Sequence, residues 1–273
     1  MIVGVLKEVL DGENRVAITP QTVKDLLKSG LEVHIQAGAG ESSFITDSDY
    51  ENSGAKIVAD ASSILSNSDL TIKVATATLD EIDQLKNGSA YISFIQTTRD
   101  TEAVKKLTQK NISAFSMHLI PRTTLAQSMD ALSSQANVAG YKAVITGAMH
   151  LPVYMPLLMT AAGTIPPAKV LIIGAGVAGL QAIATAKRLG AQVEAFDVRP
   201  EVKEQVESLG AKFVEVASET EEGVGEGGYA KETSDDYKEK QQALMKEHIS
   251  KSDLVITTAL IPGKPAPLLI PNS

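Results

Sequence analysis

The residues whose spacing carries chemistry are Gly174, Ala175, Gly176, Val177, Ala178 and Gly179, a G-x-G-x-x-G run with an acid downstream at Asp197. The stretch Lys169 to Ile173 before it reads as a buried strand, and Val177 to Leu189 after it reads as a helix. Glycines so placed let the backbone turn sharply and approach a pyrophosphate. The start of the helix adds free N–H groups and a partial positive charge for the phosphates. Asp197 closes the next expected strand, Gln192 to Phe196, where such a unit places a ribose-binding acid. A carboxylate there accepts from both hydroxyls of an adenosine ribose and repels a 2′-phosphate, which favours NAD over NADP. Arg199 works the other way, because a nearby cation suits a 2′-phosphate. A glycine turn can also be only a packing device. Here strand, turn, helix, second strand and acid coincide, and dinucleotide binding is expected.

These residues need a layered scaffold. Strand-like and helix-like segments alternate along the whole chain. Strands are expected at Ile2–Leu6, Leu31–Ile35, Leu70–Val74, Ala90–Phe94, Ser113–Met117, Lys169–Ile173, Gln192–Phe196, Lys212–Val214 and Leu254–Thr258. Helices are expected at Gln21–Lys28, Ala61–Asn67, Leu79–Lys86 and Thr101–Gln109, with a long one from about Leu125 to Thr146 joining the halves. Pro20 suits a first helical turn, with Thr19 as its cap. The expected fold is α/β, with two Rossmann-like domains, mostly parallel sheets and a cleft between them. An N-terminal α/β domain would span 1–135 and a nucleotide-binding Rossmann domain 136–273. The acidic, glycine-rich run from Ala217 to Glu239 reads as a long solvated loop, and loops of that length in compact domains often act as lids.

Composition narrows the function. The chain has 273 residues, 44% of them hydrophobic, enough for two domains. It has no cysteine, which excludes disulfides, thiolate metal sites and a thiol nucleophile. His34, His118, His150 and His248 are scattered and lack metal-ligand spacing, so no metal site is assigned. A net charge of −8 argues against nucleic acid as a partner. The start, Met1-Ile2-Val3-Gly4-Val5, does not read as a signal peptide, and no apolar run approaches membrane-spanning length. The apolar stretch Leu151 to Ala162 is short, holds two prolines and reads as a loop. A soluble, intracellular protein is expected.

Several segments closely resemble the NAD(H)-binding component, domain I of the alpha subunit, of proton-translocating NAD(P) transhydrogenases, within the wider alanine dehydrogenase/transhydrogenase family. They are Gly4–Glu8 with Glu13–Ala17 and Thr19-Pro20, Pro121 to Gln135, Met159 to Thr164, Gly174 to Leu180, Gly227 to Glu232, and Thr258 to Pro267. The resemblance implies hydride transfer between NAD(H) on this chain and NADP(H) on a partner. It also implies membrane-spanning and NADP(H)-binding partner subunits, a homodimer, and a cytoplasmic place against the inner membrane.

The resemblance carries roles residue by residue. Gly174, Ala175, Gly176, Val177 and Gly179 would form the pyrophosphate turn, and Asp197 would hold the ribose with Val198 and Arg199 on the adenine side. Arg122, Asp130 and Ser133 would fix the nicotinamide end, Thr123 and Thr124 would add cofactor contacts, and Gln127 would reach the partner's nucleotide. Arg122, Gln127 and Asp130 would thus serve the transfer itself. Gly228 and Tyr229 would close a mobile loop, and Gln241 and Leu260 would add contacts.

Two departures matter. In alanine dehydrogenases the strand matching Ala90 to Ile95 is followed by a histidine; here Gln96 stands in that place. Glutamine cannot exchange a proton near neutral pH. Arg15 and Lys73, the family's carboxylate-binding basic positions, remain, although each could instead pair with an acid. Both families also continue well past this chain's last residue, so a truncated or partial form is expected. The alternatives are an alanine dehydrogenase-like amino-acid oxidoreductase and a non-catalytic NAD(H)-binding fragment.

Overall fold

The computed structural model describes residues 1–121, 123–215, 235–259, 266 and 268–270, with the backbone alone at 235–238. The chain divides into two compact units, Met1–Asp130 and Ala131–Ser273. The division falls at the residue before a long helix, and the expected boundary at 135/136 lies inside that helix.

The first unit runs β1 (Ile2–Val5), α1 (Pro20–Lys28), β2 (Glu32–Gln36), α2 (Asp47–Asn52), β3 (Lys56–Val58), α3 (Ala61–Asn67), β4 (Leu70–Ile72), α4 (Leu79–Gln84), β5 (Ala90–Ser93), α5 (Thr101–Gln109) and β6 (Ser113–Ser116). Its six strands form one parallel sheet in the order β3-β2-β1-β4-β5-β6. Parallel strands need crossover helices, and these cover both faces. Val5, Val23, Val33, Ile35 and Tyr50 pack in one cluster. Leu6, Ile64, Leu65, Ile82, Tyr91 and Leu107 pack in another.

The second unit runs α6 (Ala131–His150), β7 (Leu158–Thr160), β8 (Gly163–Ile165), β9 (Lys169–Ile173), α7 (Val177–Arg188), β10 (Gln192–Phe196), α8 (Lys203–Ser208), β11 (Lys212–Val214), α9 (Asp235–Ser250) and β12 (Leu254–Thr257). Four parallel strands stand in the order β11-β10-β9-β12, and β7 and β8 form a separate antiparallel hairpin. The apolar run of β9 is buried throughout and splits by alternation. Val170 and Ile172 join α6, α7 and α8 residues on one side, while Leu171 and Ile173 meet Met245 of α9 on the other.

The α/β class and the mostly parallel sheets are as expected. Short strands and helices beyond the expectation are β3, α2, β8 and α8. The stretch expected to be a loop from Leu151 to Ala162 contains β7, and the expected loop ending at Glu239 has become helix α9 by Asp235. The helix expected from Leu125 to Thr146 instead runs Ala131–His150, preceded by a 3-10 helix at Thr124–Met129. Asp130 separates the two at φ −76°, ψ 72°, outside helical space. Aspartate leaves a helix readily because its carboxylate competes for nearby backbone donors.

Candidate functional site

At the carboxyl end of β9 each glycine of the run has a different physical task. Gly174 has φ +102°, which a side chain resists. Its N–H donates to Phe196 O at 2.8 Å, and its carbonyl accepts from Thr258 Oγ1 at 2.9 Å. Gly179 lies in the first turn of α7, where a Cβ would stand 1.8 Å from Gly174 O. Only glycine allows the helix to pack so tightly on the strand. At Gly176 the reverse holds: among the described residues, no atom comes within 4 Å of the place a Cβ would take. Gly176 is also the N-cap of α7, so the cap has no side chain to satisfy the first-turn N–H groups. Gly140 lets α6 lie against this turn, since a Cβ there would sit 2.1 Å from Ala178 O.

Asp197 follows β10 and reaches back to the turn. Its Oδ2 accepts from Ala175 N–H at 2.7 Å, and its Oδ1 accepts from Arg199 N–H at 2.9 Å. Arg199 also forks the carboxylate, Nε to Oδ1 at 2.9 Å and an η nitrogen to Oδ2 at 3.0 Å. The carboxylate is 7% exposed. Burial pushes its pKa up, but the hydrogen bonds from Arg199 and Ala175 and the charge of Arg199 outweigh that, and the net shift is downward. Asp197 is therefore an anion at neutral pH. Ala175 is buried, Val177 is exposed at the helix start, and Val198 packs against the sheet face that α9 covers. Gln241 sits one turn before the buried Met245 of α9 and is half-buried. Thus β9, α7 and β10 bring together Gly174, Ala175, Gly176, Val177, Gly179, Asp197, Val198 and Arg199.

The other expected residues belong to other segments. Thr124 and Gln127 are exposed on the 3-10 helix of the first unit, Thr123 is exposed just before it, and Asp130 ends it with its N–H donating to Gln127 O at 3.2 Å. Ser133 is half-buried in the first turn of α6, in the second unit. Arg122, Gly228, Tyr229 and Leu260 lie outside the described residues.

The first unit holds a buried polar cluster of its own. Lys73 Nζ, 1% exposed, meets Glu81 Oε1 at 2.7 Å and Glu8 Oε2 at 3.9 Å. Glu8 also accepts from Val74 N–H at 2.6 Å and from Ala75 N–H at 3.3 Å. Burial raises the pKa of Glu8, against the pull of those bonds and of Lys73. Tyr91 Oη accepts from Ala77 N–H at 2.7 Å and donates to Ala75 O at 3.2 Å. Arg15 forks Glu13, at 2.8 Å and 2.6 Å, and stands 6.0 Å above the Phe94 ring. Gln96 is exposed, and its N–H donates to Asp100 at 2.9 Å. Burial lowers the pKa of His118, which packs edge-on against Phe94.

Two family models match the chain: the N-terminal domain of alanine dehydrogenase/PNT over residues 4–139 and its C-terminal domain over residues 143–273. The chain is 48% identical over 276 aligned residues to an NAD(P) transhydrogenase alpha-subunit polypeptide of Rhodospirillum rubrum, covering 99% of this chain and 72% of that one. The chain belongs to the alanine dehydrogenase/PNT family. A solved transhydrogenase from Sinorhizobium meliloti superposes with a TM-score of 0.86 at 45% identity, covering 98% of this chain and 73% of that one. Similarity to an alanine dehydrogenase of Mycolicibacterium smegmatis is lower, 31% identity covering 100% of this chain and 68% of that one. Within the family the chain therefore resembles transhydrogenase alpha subunits more than alanine dehydrogenases.

Family membership makes three residues informative to which residue order alone gives no role. Thr258 clamps Gly174 O and stands 3.1 Å from where a Gly179 Cβ would be. Its position one residue past β12 is the available signal. Gly140, a glycine in a helix interior, is the kind of position that marks close packing. Glu81, three residues after the cap Thr78, reads only as a capping-box acid, yet it also holds Lys73. Among the described residues, no group of three or more His, Cys, Asp or Glu could hold a metal, and no helix is long and apolar enough to cross a membrane.

Proposed function

We propose that this chain is the NAD(H)-binding part of a proton-translocating transhydrogenase, passing hydride to or from NADP(H) on a partner component. The observation that carries the reading is the division of labour at the glycine run. Gly174 makes the turn, Gly179 makes the close packing, and Gly176 leaves the helix N-terminus open to a ligand. Those are the three tasks a pyrophosphate-binding turn requires. NAD(H), when bound, supplies the hydride chemistry itself. The protein's part is position. The N–H groups at the start of α7 receive the pyrophosphate, and Asp197 receives the adenosine ribose with Val198 and Arg199 beside the adenine. Gln241 of α9 and Leu260 add contacts. Arg122, Asp130 and Ser133 hold the nicotinamide end, Thr123 and Thr124 add cofactor contacts, Gln127 reaches toward the partner's nucleotide, and Gly228 and Tyr229 close over the site. No residue has to move a proton, and orientation of the two nicotinamides supplies much of the rate.

The first-unit geometry favours this reading over amino-acid oxidation. Lys73 is held by Glu81 and Glu8, Arg15 is held by Glu13, and Gln96 has no titratable proton near neutral pH. Pumping would belong to membrane-spanning partner chains, with this chain on the cytoplasmic side of the inner membrane. The hairpin β7–β8 leaves Met159 and Ile165 exposed, and Met149 and Tyr154 nearby in sequence are exposed too, an apolar run suited to a second copy in a homodimer.

The test mixes the chain with an NADP(H)-binding component and follows reduction of an NAD analogue by NADPH. Turnover that requires both proteins supports the reading. Alanine-dependent reduction of NAD by the chain alone contradicts it. NADH binding without transfer leaves only a nucleotide-binding fragment.

A further inference from the structure

The carboxylate of Asp197 has about four lone-pair positions, and the structure fills all of them. Oδ1 accepts from the backbone N–H and the Nε of Arg199, and Oδ2 accepts from Ala175 N–H and an η nitrogen of Arg199. A ribose diol can bind this carboxylate only by taking positions already in use. The four bonds are not equivalent. The two backbone donors belong to the glycine turn and to the chain leaving β10, and they cannot withdraw without moving the sheet. The two guanidinium donors sit on a side chain that is 20% exposed and whose torsions change without moving the sheet. The backbone bonds anchor the carboxylate to the turn, so the guanidinium bonds are the exchangeable pair.

We propose that Arg199 is an internal stand-in for the adenosine ribose, occupying the diol-binding positions of Asp197 until the nucleotide displaces it. The inference rests on the nucleotide-binding reading above and adds the determinant of 2′-specificity. A displaced guanidinium remains beside the ribose, where it offers a cation to a 2′-phosphate. Arg199 thus weakens recognition of the 2′-hydroxyl and softens rejection of the 2′-phosphate at once. Asp197 discriminates; Arg199 limits how strictly.

The test first titrates NADH into the whole chain by fluorescence, then displaces it with 5′-AMP, 2′-deoxy-5′-AMP and 2′,5′-ADP. The proteins are the wild type, Arg199→Ala, Arg199→Gln and Asp197→Asn, each checked to be folded at the assay temperature. The decisive quantity is the affinity ratio of 5′-AMP to its 2′-deoxy form, which cancels any stacking of Arg199 on adenine. Removing the guanidinium should raise that ratio about fivefold, the size expected for releasing a partly buried forked ion pair, in both Arg199→Ala and Arg199→Gln. It should also increase discrimination against 2′,5′-ADP. Asp197→Asn should bring the deoxy ratio close to one. If the ratio is unchanged or falls in both Arg199 variants, Arg199 supports Asp197 rather than competing with the ribose, and the inference is overturned. If wild-type chain binds no NADH, or Asp197→Asn leaves the ratio as it was, the nucleotide reading of Asp197 fails and the inference falls with it.

Discussion

The two units share one architecture and differ in how most of their helices begin: α5 of the first unit lacks a side-chain cap, as α7 of the second does, but the first unit's other four α-helices do not. In the first unit the N-termini of α1 to α4 are closed from within. Thr19, Thr46, Asp60 and Thr78 each accept from the first-turn N–H groups, and Thr46 and Thr78 do so in full capping boxes. In the second unit α7 begins at Gly176, which has no side chain to give. Side-chain capping stabilises a helix by about 1 kcal/mol. A helix that forgoes it at the end of a parallel strand keeps its donors and its dipole for an anion. The polar groups follow the same division. Lys73 and Glu81 satisfy each other in the first unit's interior, while Asp197 sits at the sheet's carboxyl edge, forked by Arg199. The same layered scaffold thus satisfies its polar groups internally in one unit and, under the proposed function, presents a nucleotide-binding edge in the other.

The comparison can be broken by single substitutions. The largest effect belongs to Lys73→Met, which leaves Glu81 and Glu8 buried without their cation. Chemical denaturation should show a loss of about 3–5 kcal/mol, with NADH affinity of the folded protein retained. An equal loss of affinity would mean that the first unit's interior is not merely support. Next come Gly4→Ala and Gly179→Ala, matched intrusions in the two units. A Cβ at Gly4 would meet Ser68 Oγ at 2.1 Å, and one at Gly179 would meet Gly174 O at 1.8 Å. Both should lower stability by about 1–3 kcal/mol, but only Gly179→Ala should abolish NADH binding in a titration. Gly176→Ala is gentler still. The methyl enters open space, so the melting temperature should hold, while NADH affinity drops about tenfold, some 1.4 kcal/mol.

The smallest effect sharpens the contrast through pH. Asp197 has a folded pKa below its ordinary value, so its contribution to stability is present above about pH 4 and is lost on further acidification. Glu8 has a raised folded pKa, so its contribution is present below that range and is lost as pH rises through the folded value. In acid titrations of stability, Asp197→Asn should flatten the loss at low pH. Glu8→Gln should remove the decline seen as pH rises out of the carboxylate range. Curves that keep the wild-type slope in both variants would contradict the assignment of opposite signs.

Much of this organisation is readable from residue order, and the unread parts have physical reasons. The glycine run, the strand before it and the acid after β10 are local patterns with fixed spacing. Pro20 and Thr19 mark their helix start because each acts within one turn. β3, α2 and α8 are too short to show a period. Leu125 and Met129 are spaced as a helical pair, so residue order suggests a continuous helix there. The ψ of Asp130 makes the break, and a single aspartate in an otherwise helical stretch is too weak a pattern to mark it. Whether Lys73 meets a ligand or an acid is open in the sequence, because Glu8 and Glu81 reach it only through folding. The fork of Arg199 on Asp197 depends on the backbone leaving β10, and from order alone Arg199 is only a nearby cation.

The most direct measurement is hydrogen exchange of the whole chain with and without NADH. New protection is predicted at Gly174 to Leu180 and at the end of β10, with the capped starts of α1 to α4 unchanged. Protection confined to the first unit, or none at Gly174 to Leu180, would contradict the claim that the open helix start of the second unit is the nucleotide site.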